Sequence, residues 1–432
     1  MCTPFRPSII PMLPLPVEIV EHILDLAGAF PDLTYHLSPP YSLFSEHDVP
    51  VDAISLSARN LSALALVCKQ WNAICVPRLY RCLAIGDSTA IDALTHTLEH
   101  SQKTAAVSGS APLGSLTRHL IIALSDSPVG DETEQFATRV VRRFGNLGRL
   151  ARCLPHLQIL SISILTQDMW GLPLPHYGRD FAATVTETSA HSLLKLHLNH
   201  EPSVLFSRPE LRKLLESAPN LVAISGAGIG DSIGCPAALP CLPKLKFLVV
   251  NDHQIRRCER VEHEDNRTPV LDHVHFRQSR PSTYCAHLLS AQGARLTSVS
   301  LDLRLLGNPK ICSDWLSLLA VLCHNLSYLE ICVDGWPSLP RLEPLPPVER
   351  LGLRFLASNN SMADICKSLA TIQSSTLKIV QLMDPGVFEW FTSARSDNVE
   401  SAWDPLVYRT FRIVDCDERE LGPPRQSIKK GY

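Results

Sequence analysis

Between residues 116 and 415 the apolar and polar positions keep returning to one phrase: a leucine, two residues of any kind, an aliphatic, one residue, a second aliphatic. It reads LQILSI from Leu157, LLKLHL from Leu193, LVAISG from Leu221, LKFLVV from Leu245 and LDHVHF from Leu271. It continues as LTSVSL from Leu296, LSYLEI from Leu326, VERLGL from Val348 and LKIVQL from Leu377, with TRHLII from Thr117 as a degenerate first copy. Alternation over so few residues predicts short strands with one face buried. Between copies the apolar period lengthens to that of a helix, in RPELRKLLESAPN, STYCAHLLSAQGA, CSDWLSLLAVLCHN and MADICKSLATIQSS. No single strand–helix unit can bury its own aliphatics. A repeat of about 20 to 30 residues therefore predicts stacked units whose strands share one parallel sheet.

The first hundred residues follow a different pattern. LPLPVEIVEHILDLAG predicts a helix with Pro16 in its first turn, Ile19, Val20, Ile23 and Leu24 on its apolar face, and Gly28 and Pro31 marking its end. Residues 58–76 read as one helix with Leu61, Leu64, Val67, Cys68, Trp71, Ile74 and Cys75 on a single stripe, ended by Pro77. Two or three short helices have little interior, so Trp71 and its neighbouring leucines should stay partly exposed, the usual mark of a partner surface. DSTAIDALTHTLEHS predicts a further helix capped at Asp87 or Ser88, followed by a polar loop, QKTAAVSGSAPLGS, and DERELGPPRQSIKKGY reads as a frayed tail. The expected divisions are a flexible start at 1–12, a helical unit at 13–86, a linker at 87–115, the repeat array at 116–415 and a tail at 416–432.

Composition narrows the function. A formal net charge of -3 argues against a dedicated binder of nucleic acid or anionic membrane. No long apolar run predicts a membrane span, and the proline-broken start does not read as a secretory signal. Fourteen cysteines in such a chain then read as reduced thiols of the cytoplasm or nucleus. No Cys-x-x-Cys pair suggests a metal site, and no cofactor is expected. Cys68 and Cys75, two helical turns apart, are too distant for a disulfide. GAGIGDSIG at 226–234 imitates both a dinucleotide fingerprint and a nucleophile elbow at Ser232. It lacks the third glycine of the first and the strand-to-helix turn of the second, and it reads as a glycine-rich turn. His273 and His275 share one strand face, but no third ligand falls at matching spacing.

Two families are resembled by the residues quoted. LPVEIVEHIL followed by LSALALVCKQWNAICVPRLYRCL resembles an F-box, through Leu15-Pro16, Glu18, Ile19, Ile23 and Leu24, then Leu64, Leu66, Val67, Cys68, Lys69, Trp71, Leu79 and Tyr80. The family joins these halves by a short connection. Here FPDLTYHLSPPYSLFSEHDVPVDAISLSA intervenes and reads as a looped-out insertion at about 30–58. The array resembles leucine-rich repeats, with the usual asparagine after the strand mostly missing. A Rossmann-like α/β domain is the alternative, weakened by the lack of nucleotide motifs. The expected fold is therefore α/β: a small helical F-box and an irregular leucine-rich-repeat-like horseshoe, or solenoid.

The resemblance implies a non-catalytic adaptor of a ubiquitin ligase. Leu15, Pro16, Ile19, Ile23, Leu24, Leu64, Val67, Cys68 and Trp71 would dock on a Skp-type adaptor, and through it on a cullin. The array would hold a protein substrate on its concave face. The residue between the last two aliphatics and the one after them point there: Ser161 and Ser163, His197 and Asn199, Ser225, Val249 and Asn251, His275 and Arg277, Ser300 and Asp302, Glu330 and Cys332, Gly352 and Arg354, Gln381 and Met383. His197, Asn199, Asn251, His275, Arg277, Asp302, Glu330, Arg354 and Gln381 are the candidate substrate contacts. The other readings are a repeat scaffold with a degenerate box and a hydrolase using Ser232.

Overall fold

The computed structural model describes residues 51–86, 88–124, 145–164, 179–199, 206–226, 239–240, 242–251, 270–277, 280–304, 309–334, 342, 344–355, 362–384, 406 and 409–421, together with Ile19 and His22. Each copy of the leucine phrase forms a strand, and each strand opens two residues after the leading position. After β1 (Cys82–Ile85) come β2 (His119–Leu124), β3 (Ile159–Ile164), β4 (Lys195–Asn199), β5 (Ala223–Gly226), β6 (Phe247–Asn251) and β7 (His273–Arg277). β8 (Ser298–Asp302), β9 (Tyr328–Val333), β10 (Arg350–Phe355), β11 (Ile379–Leu382), β12 (Arg412–Val414) and β13 (Glu420–Leu421) complete the series. They form one sheet in strict chain order, parallel from β1 to β12, with β13 antiparallel to β12. A doubly wound domain reverses its strand order at a switch point, and this sheet does not. The protein is a mixed α/β fold built on a long parallel sheet.

The phrase works because its apolar positions all reach the same core. The leading residues Leu157, Leu193, Leu221, Leu245, Leu271, Leu296, Leu326, Val348 and Leu377 are buried, as are the aliphatic pairs behind them, such as Leu160 with Ile162 and Leu329 with Ile331. Helices cover this face. In one, α-helical residues Pro309–Leu322, Trp315 is fully buried with its ring centroid 4.5 Å from that of Phe276 in β7.

The units are joined by a repeated hydrogen-bond device just ahead of each strand. The carbonyl of Gln158 accepts from the amides of Leu194 (2.7 Å) and Lys195 (3.0 Å), and that of Ser327 accepts from Glu349 and Arg350 (3.0 Å each). The missing asparagine ladder is partly replaced by one that precedes the strand. Asn220 and Asn325, each next to a leading leucine, donate side-chain Nδ2 to His191 O and Ala294 O of the preceding unit, both at 2.7 Å.

The N-terminal region departs from the expected single helix at 58–76. Two helices are present, α1 (Val51–Ala65) and α2 (Lys69–Arg81), separated by a turn at Leu66–Val67 and an extended Cys68. The break lets α2 fold back on α1, so that Cys75 joins Leu61 and Ala65 in a small core against which Leu64, Trp71, Ile74 and Leu79 pack. A continuous helix would string these residues along a line and bury none of them. Pro77 lies inside α2 instead of ending it. Its missing amide costs one helical hydrogen bond, and Leu79 and Tyr80 continue the packing beyond it.

Four boundaries also differ. The helix α1 begins within the stretch read as an insertion, whereas residues 30–50 lie outside the described ones. The sheet begins at Cys82, not after residue 116. A helix α3 (Ser88–Ser108) runs into the sequence read as a polar loop, where Ala105 is buried. Glu420 and Leu421, read as part of the tail, pair with Val414 and Ile413 as β13.

Candidate functional site

The strand face turned away from the helices carries the residues before, between and after the core aliphatics. Its register runs along the ladder: His275 lies beside Ser300, Ser300 beside Glu330, Glu330 beside Gly352 and Gly352 beside Gln381. One position further on, Arg277 neighbours Asp302, Asp302 neighbours Cys332 and Cys332 neighbours Arg354. Five consecutive strands thus bring scattered charges together. The equivalent positions of β2 and β3 hold Ile121, Ala123, Ser161 and Ser163, so the packing of this face does not require charge.

The cluster is closer packed than alternation alone suggests. Asp302 is buried and accepts two hydrogen bonds from the guanidinium of Arg304, Nε at 2.8 Å and Nη2 at 2.7 Å. Burial pushes its carboxyl up to about 6, with the Arg304 amide hydrogen bond pulling the other way. Glu330 takes a hydrogen bond from Ser300 Oγ at 3.0 Å and a looser contact from Arg354 Nη2 at 3.4 Å. Burial raises its carboxyl, against the pull of Arg354. Asp384 accepts from the Phe355 amide at 2.8 Å and is raised by burial to about 6. The Arg354 Nε is buried without an acceptor among the described residues.

Three histidines of this face, His197, His273 and His275, are held neutral. Burial first, then nearby cationic groups, lowers His197 and His275 to about 3, and burial alone lowers His273 to about 3. The His273 Nδ1 shares a 2.8 Å hydrogen bond with Ser298 Oγ. Among the described residues, no group of three or more His, Cys, Asp or Glu side chains is placed to hold a metal ion.

Of the expected substrate contacts, His197, His275, Arg277, Glu330 and Arg354 are half-buried on this face. Asp302 and Gln381 are buried and engaged internally, so neither is an open contact. The Gln381 Nε2 donates to the carbonyls of Asp415 and Cys416, at 3.2 and 3.3 Å. Asn199 and Asn251 close β4 and β6, and their side chains lie outside what is described. Arg304, Asp384 and Arg350 join the face although the phrase does not contain them all in its two marked positions. Extending the same alternation one step in each direction would have found Arg304 and Arg350, whereas Asp384 lies off it, beyond the end of β11.

The second surface is at the helical unit. Leu66 and Val67 in the turn between α1 and α2 are 86% and 65% exposed, and Cys68 beside them is an exposed free thiol. The expected stripe therefore splits: Leu64 and Trp71 pack on the small core, whereas Val67 and Cys68 face outward. The turn is fixed by Asn72, whose Nδ2 donates to Ala65 O at 3.2 Å and whose amide donates to Cys68 O at 2.9 Å. Ile19 is helical and exposed. Leu15, Pro16, Ile23 and Leu24 lie outside the described residues, as does Ser232. No described helix is long and apolar enough to cross a membrane.

No protein-family model matches the chain, and no curated protein matches it. Among solved structures, it is similar to the leucine-rich repeat-containing protein LegL7 from Legionella pneumophila. The identity is 16%, the TM-score 0.39, and the match covers 65% of this chain and 91% of that one.

Proposed function

We propose that the protein is a substrate-recognition adaptor of a Skp–cullin–F-box type ubiquitin ligase. In this reading the α1–α2 unit docks on a Skp-type adaptor, and the charged face of a leucine-rich-repeat-like array holds a protein substrate. The protein then needs no active site of its own, because other subunits transfer ubiquitin. The observation that carries the reading is the Leu66–Val67 turn. Two large aliphatics stand in solvent beside a half-buried Trp71, within the residues that resemble an F-box. Such an apolar patch gains by being covered, and a tryptophan at its margin is the kind of side chain that dominates interface energetics.

The test is co-purification of the full chain with a Skp-type adaptor, beside Val67→Asp and Trp71→Ala. Because Val67 is exposed, an aspartate there should leave the fold intact. A wild-type complex lost in both variants is the expected result. A folded wild-type chain that captures no adaptor would overturn the ligase reading.

One observation favours a second reading, a repeat scaffold whose helical unit is only a cap. The chain passes from α2 directly into β1, and the Thr117 side chain of the next unit donates to Tyr80 O at 2.9 Å. Terminal units of repeat proteins cover the end of the core in this way. A cap would bind the same ligand on its face, with no adaptor.

A further inference from the structure

The sheet ends in a turn that reaches back over its own polar face. After β12, residues 415–419 reverse the chain into β13. Asp415 organises the reversal, its carboxylate accepting from the amides of Asp417 (3.0 Å) and Arg419 (2.8 Å) and from Arg419 Nε (2.6 Å). The turn is held to the face by Gln381, which donates to two of its carbonyls. It is also held by Glu418, whose Oε1 lies 2.7 Å from the Arg350 guanidinium of β10, 68 residues away in sequence.

Glu418 is an unusual residue for its place. Its φ is 65°, the left-handed region, and it is the one non-glycine among the described residues with positive φ. Glycine, asparagine or aspartate takes that conformation at lower cost, and a long carboxylate gains nothing from it locally. What the residue gains is reach to Arg350. Its side chain is 68% exposed, whereas the arginine is 19% exposed and also donates to Gln381 Oε1 at 3.2 Å. The arginine is thus fixed and pre-aimed, and its partner is a solvent-facing carboxylate in the turn ahead of a two-residue strand. An ion pair with one exposed member is readily exchanged.

We propose that Glu418 is a built-in stand-in for an acidic ligand group, and that the turn at 415–419 is a strap which an acidic segment displaces from Arg350. The proposal rests on the array being the ligand-binding part and names the chemistry it selects: a carboxylate or a phosphate. A planar guanidinium recognises either group in the same bidentate manner. Opening the strap uncovers Arg350 and Gln381 together, one cation and one amide donor for an incoming anion.

The test uses the full chain, fluorescein-labelled hexaglutamate, a tetrapeptide containing phosphoserine, and hexalysine as control, all followed by fluorescence anisotropy. Glu418→Gly removes the competing carboxylate and relieves the positive φ, so the fold is retained. It should tighten hexaglutamate or phosphopeptide binding about tenfold, the scale of a charge-assisted hydrogen bond. Arg350→Gln, checked by circular dichroism, should abolish the binding, and hexalysine should not bind more tightly to any variant. Preference for one anionic peptide identifies the source of the anion. Three results would each overturn the proposal: no anionic peptide bound by Glu418→Gly, equal binding by wild type and Glu418→Gly, or binding retained in Arg350→Gln. Adaptor capture is read separately, so failure of the ligase reading would leave this result standing.

Discussion

At the scale of single residues, the close approach at Gly293 is set by backbone, not by side-chain type. Gly293 follows the helix Thr283–Gln292, and a Cβ added there would meet the carbonyl of Leu322, 2.5 Å away at the end of a neighbouring helix, and that of Leu289 in its own. Neither oxygen can swing aside as a flexible side chain could. Gly293→Ala should therefore destabilise the protein by about 1 to 3 kcal/mol, the usual cost of overpacking. Urea denaturation would show it, and an unchanged midpoint would mean that the two helices separate easily. Nothing in the sequence marks this glycine apart from others near helix ends, because the close contact comes from a unit about 30 residues away. Asp302 is a similar case. Its place after the second aliphatic was legible, but its burial against Arg304 depends on the neighbouring strands.

At the scale of elements, the strands bring titratable groups of opposite tendency onto one face. His273 is buried at 1% exposure and lowered to about 3, whereas the unfolded chain takes up its proton near the ordinary 6.5. Its contribution to stability is present above pH 6.5 and is lost as pH falls from there toward 3. Between pH 6.5 and 5 one such group accounts for about 2 kcal/mol of lost stability. Asp384 acts in the other direction. Raised to about 6 in the fold, it binds a proton before the unfolded chain does, so its contribution is present below its ordinary 3.8 and is lost as pH rises through 6. Denaturation midpoints measured from pH 7 to 5 should fall less steeply in His273→Gln than in the wild type, and more steeply in Asp384→Asn. Parallel curves for all three proteins would contradict this account. The strand pattern identified β2 to β11 because two aliphatics behind a leading residue, leucine in all copies but those led by Thr117 and Val348, suffice to define a buried phrase. It passed over β1, where Tyr80 leads Leu83 and Ile85, and β12, where Thr410 leads and Asp415 stands at the second aliphatic position.

At the scale of the whole molecule, the helical unit and the sheet are continuous. β1 pairs with β2, so Leu83 and Ile85 belong to the main core with Leu120 and Ile122. A fragment of residues 1–90 leaves that strand unpaired and its aliphatics uncovered, and it should show no cooperative melting by circular dichroism. A sharp transition in the fragment would establish the helical unit as an independent domain. By itself the sequence determined the class of the fold, the position of ten strands, four of the helices between them and the side of each strand that meets the core, but not the helix Arg179–Thr188. Local alternation is enough for these, since a side chain's face follows from its neighbours one and two residues away. Only the tertiary structure decided the break at Leu66–Val67, the burial of Asp302 and Gln381, and the return of Glu418 to Arg350. The break depends on α2 packing back on α1, and the others on groups that are distant along the chain and adjacent only after the units stack.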